Sequence, residues 1–339
     1  MASPDSDHLA QDMASYCTLF DSKYLARGLL MIESLRRASP QATIYVLCMD
    51  EPTKRYLTEC PQDGVVPIGL DEFETEALLA AKRGRTKAEY CWTCTPSIIL
   101  HCISRYNLAG CTYADADLFF YRDPVIIFER MGTNSVLLTP HRFSPYCNRT
   151  ATSGIYCVQF MAFRATEAGL RALTWWRDRC LEWCFARAED GKFGDQKYLD
   201  DWTVRFSGVY VADEADVGLA PWNIQHYQVD ANVFAESGLL RIRQEAVSPV
   251  FYHFHGIKFW RNGLVDFGTN YRINPGAREA LYRPYIEKLL GRNEMREKTH
   301  AGLQAAMYEE SYRNRRIILK KILWTLRGTC NIFEMKPVA

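Results

Sequence analysis

Thr43 to Met49, reading TIYVLCM, is an apolar run without a charge, and it stops at Asp50. A strand that is apolar at successive positions, rather than at every second one, belongs in a parallel sheet covered on both faces. Upstream, Ser15 to Phe20 reads as another strand and Asp21-Ser22 as a helix-capping pair. Leu25, Gly28, Leu29, Ile32 and Leu35 then mark one face of a helix, which Ser39-Pro40 stops. A strand–helix–strand unit of this kind closes with a right-handed crossover. The expected class is therefore α/β, with a mostly parallel central sheet flanked by helices.

In open sheets of this class, ligands gather beyond the carboxyl ends of the strands. Phe20-Asp21, Asp50 and Asp115 all fall at such ends, so they are expected to share one crevice. Asp115 belongs to Cys111-Thr-Tyr-Ala-Asp-Ala-Asp-Leu-Phe-Phe120, where two carboxylates sit between strand-forming and apolar residues. Carboxylates are rarely set among apolar residues unless they are paired or bind a metal. In an extended segment, side chains two residues apart share a side, so Asp115 and Asp117 can reach one cation. Hard ions such as Mg²⁺ and Mn²⁺ take such oxygens together with substrate phosphates. The bland alternative is a surface turn with two solvated carboxylates.

Neither G-x-G-x-x-G nor G-x-x-x-x-G-K-[ST] occurs, so any phosphate has to be met by a metal and by cationic side chains. Two stretches offer cations. Lys82-Arg-Gly-Arg-Thr-Lys87 breaks a helical region over 71–106. It reads either as a solvated helix end or, through Arg85, as a contact to the ribose or diphosphate of a nucleotide. Val250 to Trp260 reads as a strand ending in His253, His255, Gly256 and Lys258. The two histidines share a side, so one of them can complete a metal shell, or both are ordinary strand histidines. Lys258 can meet phosphate.

Between these stretches, Ser135–Thr139 and Gly154–Phe163 read as strands, and Pro140–Tyr146 as a polar, aromatic loop suited to specificity. Ala168–Arg187 is expected to be a helix whose Trp175, Trp176 and Trp183 fill the core. Asp195-Gln196 opens a further helix, either as its cap or facing the crevice.

The 339 residues suit one large α/β domain or two smaller ones, and 48% apolar with 24% charged residues is ordinary for a globular chain. A net charge of +1 gives no reason to expect nucleic acid. The polar, acidic opening lacks a signal-peptide core, and no run suggests a transmembrane helix, so a cytoplasmic protein is expected. The twelve cysteines lie largely in apolar stretches and read as reduced core thiols. Past Trp260 helical patterns dominate. Within 306–327, Tyr308, Tyr312, Leu319, Ile322, Leu323 and Leu326 form an apolar stripe beside Arg313, Arg316 and Lys320. That helix suits an anionic membrane surface or docks on the domain with its charges solvated.

Taken in order, Tyr113-Ala-Asp-Ala-Asp-Leu-Phe-Phe120, Phe193-Gly-Asp-Gln196 and His253-Phe-His-Gly256 with Lys258 resemble the motifs of GT-A glycosyltransferases of the retaining family 8 type. The likeness spans roughly residues 15–260 and extends to a bacterial group of nucleotide-diphospho-sugar transferases. It implies a Rossmann-like GT-A domain over 15–260, after a flexible leader over 1–14 and before a helical C-terminal extension over 261–339. It implies Mn²⁺ or Mg²⁺ held by Asp115, Asp117 and His253 or His255, bridging the diphosphate of a sugar donor, UDP-linked by expectation. Phe20 and Asp21 would lie near the base, and Asp195 and Gln196 beside the anomeric carbon. Lys258 stands two residues after Gly256 where the family has three, so the histidine register stays open.

The resulting expectation is a metal-dependent hexosyltransferase acting on a glycan or lipid-linked acceptor at the inner membrane face, with retention. The rivals are a D-x-D phosphohydrolase and a non-catalytic sugar-binding module. Phosphohydrolases of that kind carry the pair on the first strand, whereas here it follows about a hundred residues.

Overall fold

The structure, a computed structural model, describes residues 13–260, 263–268, 270–299, 308–309, 324–325 and 328–334. Its centre is a seven-stranded sheet. In chain order the strands involved are β1 (Ser15–Phe20), β2 (Thr43–Cys48), β3 (Val65–Ile68) and β4 (Gly110–Ala114). A short β5 (Leu118–Phe120) lies outside this sheet, and β6 (Val136–Pro140), β7 (Tyr156–Arg164) and β8 (Val209–Val211) return to it. The spatial order is β3-β2-β1-β4-β7-β6-β8. β3, β2, β1 and β4 run parallel, β7 pairs antiparallel with both β4 and β6, and β6 is parallel to β8. β7 alone therefore runs against the rest, and the expected α/β class with a largely parallel sheet is observed.

Strand periodicity sends alternate side chains to opposite faces. Ile44, Val46 and Cys48 join the core under the helix Leu25–Ala38, while Tyr45 and Leu47 join the core under the helices Lys87–Tyr106 and Glu167–Glu182. Gly28 lets the first helix sit against the sheet: a Cβ there would lie 2.4 Å from the ring of Phe20. The second core takes Trp176 and Trp202, with Trp183 also buried and Trp175 half-buried at its edge, as the helical spacing of three of them implied. All twelve cysteines are free thiols.

The helical region over 71–106 is three helices, Leu70–Phe73, Glu76–Lys82 and Lys87–Tyr106. The break is made by caps: the Thr75 hydroxyl accepts from Leu78 N, and Thr86 with Glu89 forms a capping box. Past Trp260 the chain is not wholly helical. A helical run from Pro275 to Thr299 is present, but Leu264–Asp266 and Ile332–Glu334 are strands paired to each other, and Leu264–Asp266 also pairs with Lys258–Trp260. Nor is residue 260 a packing boundary. Phe254 stacks on Tyr285 with ring centres 3.7 Å apart, and a third core joins Phe259, Phe267 and Tyr282 to Ala26, Leu30 and Phe119. Most of the basic amphipathic segment 306–327 lies outside the described residues. Tyr308–Glu309 pair in parallel with Phe259–Trp260 as a strand, so the apolar stripe does not begin there as helix.

Candidate functional site

The two aspartates leave β4 in a turn rather than in an extended segment. Asp115 N donates to the carbonyl of Gln159 at 2.9 Å, one step beyond the β4–β7 ladder, and Leu118 N closes the turn on Asp115 O at 3.2 Å. The expectation of a shared strand side is thereby corrected: a turn, not the period of two, aims both carboxylates. β5 then pairs antiparallel with Phe251–His253, which puts His253 opposite Leu118. Phe254 N donates to Asp117 O at 2.9 Å, and His253 N to Leu219 O at 2.8 Å.

This pairing brings the sequence-distant candidate ligands together. Nε2 of His253 lies 2.9 Å from Asp117 Oδ1 and 3.7 Å from Asp115 Oδ2. Asp117, His253 and His255 each offer a ligand atom, all within 4.8 Å of one another. Nδ1 of His253 donates to Gln159 Oε1 at 2.8 Å, and Tyr113 donates its hydroxyl hydrogen to Asp115 Oδ1 at 2.9 Å. Asp117 and His253 are both almost fully buried. Burial opposes the Asp117 charge, yet the imidazolium of His253 outweighs it and holds the carboxyl down to about 2. The same pairing, against burial, carries His253 well above the usual imidazole range. Burial pushes Asp115 up to about 6 despite His253.

Asp115, His253 and His255 open onto a cavity of about 290 Å³ whose wall also includes Asp195 and Gln196. Gly194 takes a positive φ of 53° and packs against the face of Trp92. Trp176 Nε1 donates to Asp195 O at 2.9 Å. Asp195 is buried, its Oδ2 has no hydrogen-bond partner among the described residues, and burial with the nearby Asp115 pushes it up to about 8. The pair does not open a long helix, only the single turn Lys197–Leu199.

Other expected residues are placed elsewhere. The Phe20 ring is buried beneath Gly28, and Asp21 Oδ1 accepts from Lys23 N at 3.0 Å. Asp50 caps the helix Glu51–Glu59 through Thr53 and also accepts from the backbone and hydroxyl of Ser22. Arg85 bonds the hydroxyl of Thr93 and the carbonyl of Leu181. Gly256 turns with φ of 81° beside Gly268, and Lys258 is exposed on a strand opposite Asp266; neither lines the cavity. The loop expected to carry specificity does line it, through His141 and Phe143. Sequence reasoning missed Gln159, Tyr113, Arg149 and Trp222. Only Gln159 carried a signal, as a long polar side chain inside the apolar strand Tyr156–Arg164.

No family model matches the chain. Among solved structures it is similar to the galactosyltransferase LgtC in complex with donor and acceptor sugar analogs, at 11% identity over 71% of this chain and 87% of that one, with a TM-score of 0.43. It is also similar to mouse xyloside xylosyltransferase 1, at 13% identity over 71% and 97%, with a TM-score of 0.44. In sequence it is 33% identical to the uncharacterized protein YfnF of Bacillus subtilis over 285 residues, covering 81% of this chain and 90% of YfnF. With 32% identity to the uncharacterized protein YfnD of Bacillus subtilis, over 81% of this chain and 88% of YfnD, the chain belongs to the family of these two proteins.

Proposed function

We propose that the protein is a metal-dependent GT-A glycosyltransferase that moves a hexose from a UDP-linked sugar to a glycan or lipid-linked acceptor, with retention. The observation that supports this most is a single cavity with Asp115, His253 and His255 on its wall and Asp195-Gln196 facing the same space. In this reading Asp117, His253 and His255 hold the cation, with Asp115 beside them. One carboxylate and two imidazoles fit a divalent ion, and the imidazoles favour Mn²⁺ over Mg²⁺. Such an ion, when bound, would supply stabilisation of the negative charge that develops on a leaving diphosphate.

The chain's own residues do the rest. Gln159 and Tyr113 fix the orientation of His253 and Asp115. In this reading the buried carboxyl of Asp195, whose Oδ2 has no hydrogen-bond partner among the described residues, faces the positive character that develops on the sugar. Gln196 presents its amide from the same turn. The apolar wall of Trp92, Phe143, Phe193 and Trp222 excludes water from the bond being broken. A cytoplasmic site at the inner membrane face, reached through residues 306–327, rests on the sequence of that segment alone.

Incubating the full chain with a panel of nucleotide sugars and Mn²⁺, and following nucleotide release, tests the reading. One donor is expected to be consumed by the wild type and spared by Asp117→Ala. Silence across the panel, with no binding and no effect of Asp117→Ala, rejects it.

A further inference from the structure

Among the described residues that line the cavity, Arg149 is the one Arg or Lys. The arginines nearby are engaged by protein oxygens. Arg27 donates to the carbonyl of Ile257, Arg85 to Thr93 and Leu181, and Arg142 to the carbonyls of Glu214 and Val217. Arg149 differs: its guanidinium has no hydrogen bond or ion pair among the described residues. It lies over the ring of Tyr271 with its central carbon 5.8 Å from the ring centre. Tyr271 is itself buried in the cavity wall and faces the ring of His255.

A second pair repeats the arrangement in reverse. Arg272 lies over Tyr146 at 4.3 Å, so an arginine and a tyrosine from the loop before β7 cross with a tyrosine and an arginine from residues 271–272. The same loop is anchored from below: Lys197 Nζ donates to Thr150 O at 3.1 Å, and Asp200 Oδ1 accepts from Ile155 N at 2.7 Å. Arg149 is thus positioned by an aromatic face and a tethered backbone, which leaves its planar fork of five donors turned to solvent at the cavity. Such a fork matches the geometry of a phosphate or carboxylate, and stacking on a ring reduces the freedom lost on binding. Lys258, the cation that motif spacing singled out for phosphate, is not part of this wall.

We propose that Arg149 is an anion receptor at the mouth of the cavity, and that one of the two substrates brings a phosphate or carboxylate to it. The inference rests on the reading above, in which the cavity takes a sugar donor and an acceptor. The anion is either the donor's diphosphate or a charged group on the acceptor.

Isothermal titration of the full chain tests this with wild type, Arg149→Gln and Arg149→Lys. The probes are UDP with Mn²⁺, inorganic pyrophosphate without metal, and glucose 6-phosphate, with uridine and glucose as neutral controls. Arg149→Gln is expected to weaken binding of an anionic probe at least tenfold and to flatten its salt dependence. Arg149→Lys should recover part of the loss, and the neutral controls and the melting temperature should stay unchanged. Loss confined to UDP and pyrophosphate assigns Arg149 to the donor, and loss confined to glucose 6-phosphate assigns it to the acceptor. If Arg149→Gln binds every anion within twofold of wild type, the inference is overturned while the glycosyltransferase reading stands. If pyrophosphate binds in an Arg149-dependent way but no nucleotide sugar is consumed, the reading falls and the receptor remains. If the wild type binds none of the anions, both fall.

Discussion

Gln159 accepts a hydrogen bond from Nδ1 of His253 at 2.8 Å, and this commits Nε2 of the same ring to Asp117. The contact is buried, and Gln159 also supplies the carbonyl that anchors Asp115 N. One residue of β7 therefore orients both halves of the ligand set. Gln159→Leu leaves Nδ1–H buried without a partner and frees the ring to turn. Outer-shell partners of a metal-binding histidine are typically worth 10–100-fold in affinity, and an orphaned buried donor costs about 1–3 kcal/mol. A Mn²⁺ titration should show the first loss, and urea unfolding the second. Unchanged Mn²⁺ binding in a folded Gln159→Leu protein would count against this role.

If the proposed cation site is right, Mn²⁺ should raise the melting temperature of the wild type by binding the folded chain at Asp117, His253 and His255, whose ligand atoms lie within 4.8 Å of one another. At a hundredfold excess over its dissociation constant the gain is about 2.7 kcal/mol. EDTA should reverse it. Asp117→Ala and His253→Ala should each abolish the shift, whereas Cys180→Ala, on the buried side of the helix Glu167–Glu182, should keep it at a lower starting temperature. A full Mn²⁺ shift in Asp117→Ala would move the metal elsewhere.

Asp195 makes stability fall as pH rises. Its folded carboxyl is pushed up to about 8, so between the unfolded value near 4 and that point the folded state holds the extra proton. Stability then decreases across this window, since it rises with pH only where the unfolded state binds more protons. Asp195→Asn removes the cost of a buried charge. It should flatten that slope and stabilise the protein at pH 8, by on the order of 2 kcal/mol, while abolishing donor turnover. Urea midpoints at pH 5 and pH 8, read on both proteins without metal, check it. Parallel pH profiles would remove the buried charge from the account.

Asp50 has the opposite sign. Burial opposes its charge, but hydrogen bonds from Thr53 and Ser22 prevail and hold the carboxyl below its usual value. Its stabilisation is therefore present above the unfolded value near 4 and is lost as pH falls through the lower folded one. Asp50→Ala should cost about 1–2 kcal/mol at neutral pH, the usual worth of a helix cap. It should leave nucleotide affinity within twofold, because the carboxylate is already occupied by Ser22 and Thr53. A selective loss of donor binding with unchanged stability would restore it to the crevice.

Much of this could be read in advance from the residues. The uninterrupted apolar run at Thr43 to Cys48 announced a strand covered on both faces, and the helix spacing from Leu25 to Leu35 announced what covers one of them. Asp115 and Asp117 stood out because charge is costly among apolar neighbours unless something uses it, Asp195 as a helix start, and His253 and His255 as a pair two residues apart. Arg85 stood out in a basic break between helices and Lys258 beside the histidines, but a cation has many protein oxygens within reach, and Arg85 found Thr93 and Leu181. Gln159 was nearly silent. A neutral amide in a strand does not disclose its partner, and that partner lies far along the chain.

Sequence alone determined the α/β class, the alternation that sorts side chains between the two cores, and the identity of the groups that can hold a cation. These depend on local periodicity and on the price of burying charge, both written in neighbouring residues. Tertiary structure alone decided that Asp117 meets His253 across the β5 pairing, that Gln159 sets the ring, and that Arg149 rather than Lys258 faces the cavity. Those are matters of strand register and of which loops close over one another. Register is settled by the summed packing of the whole core, which no short stretch of the chain contains.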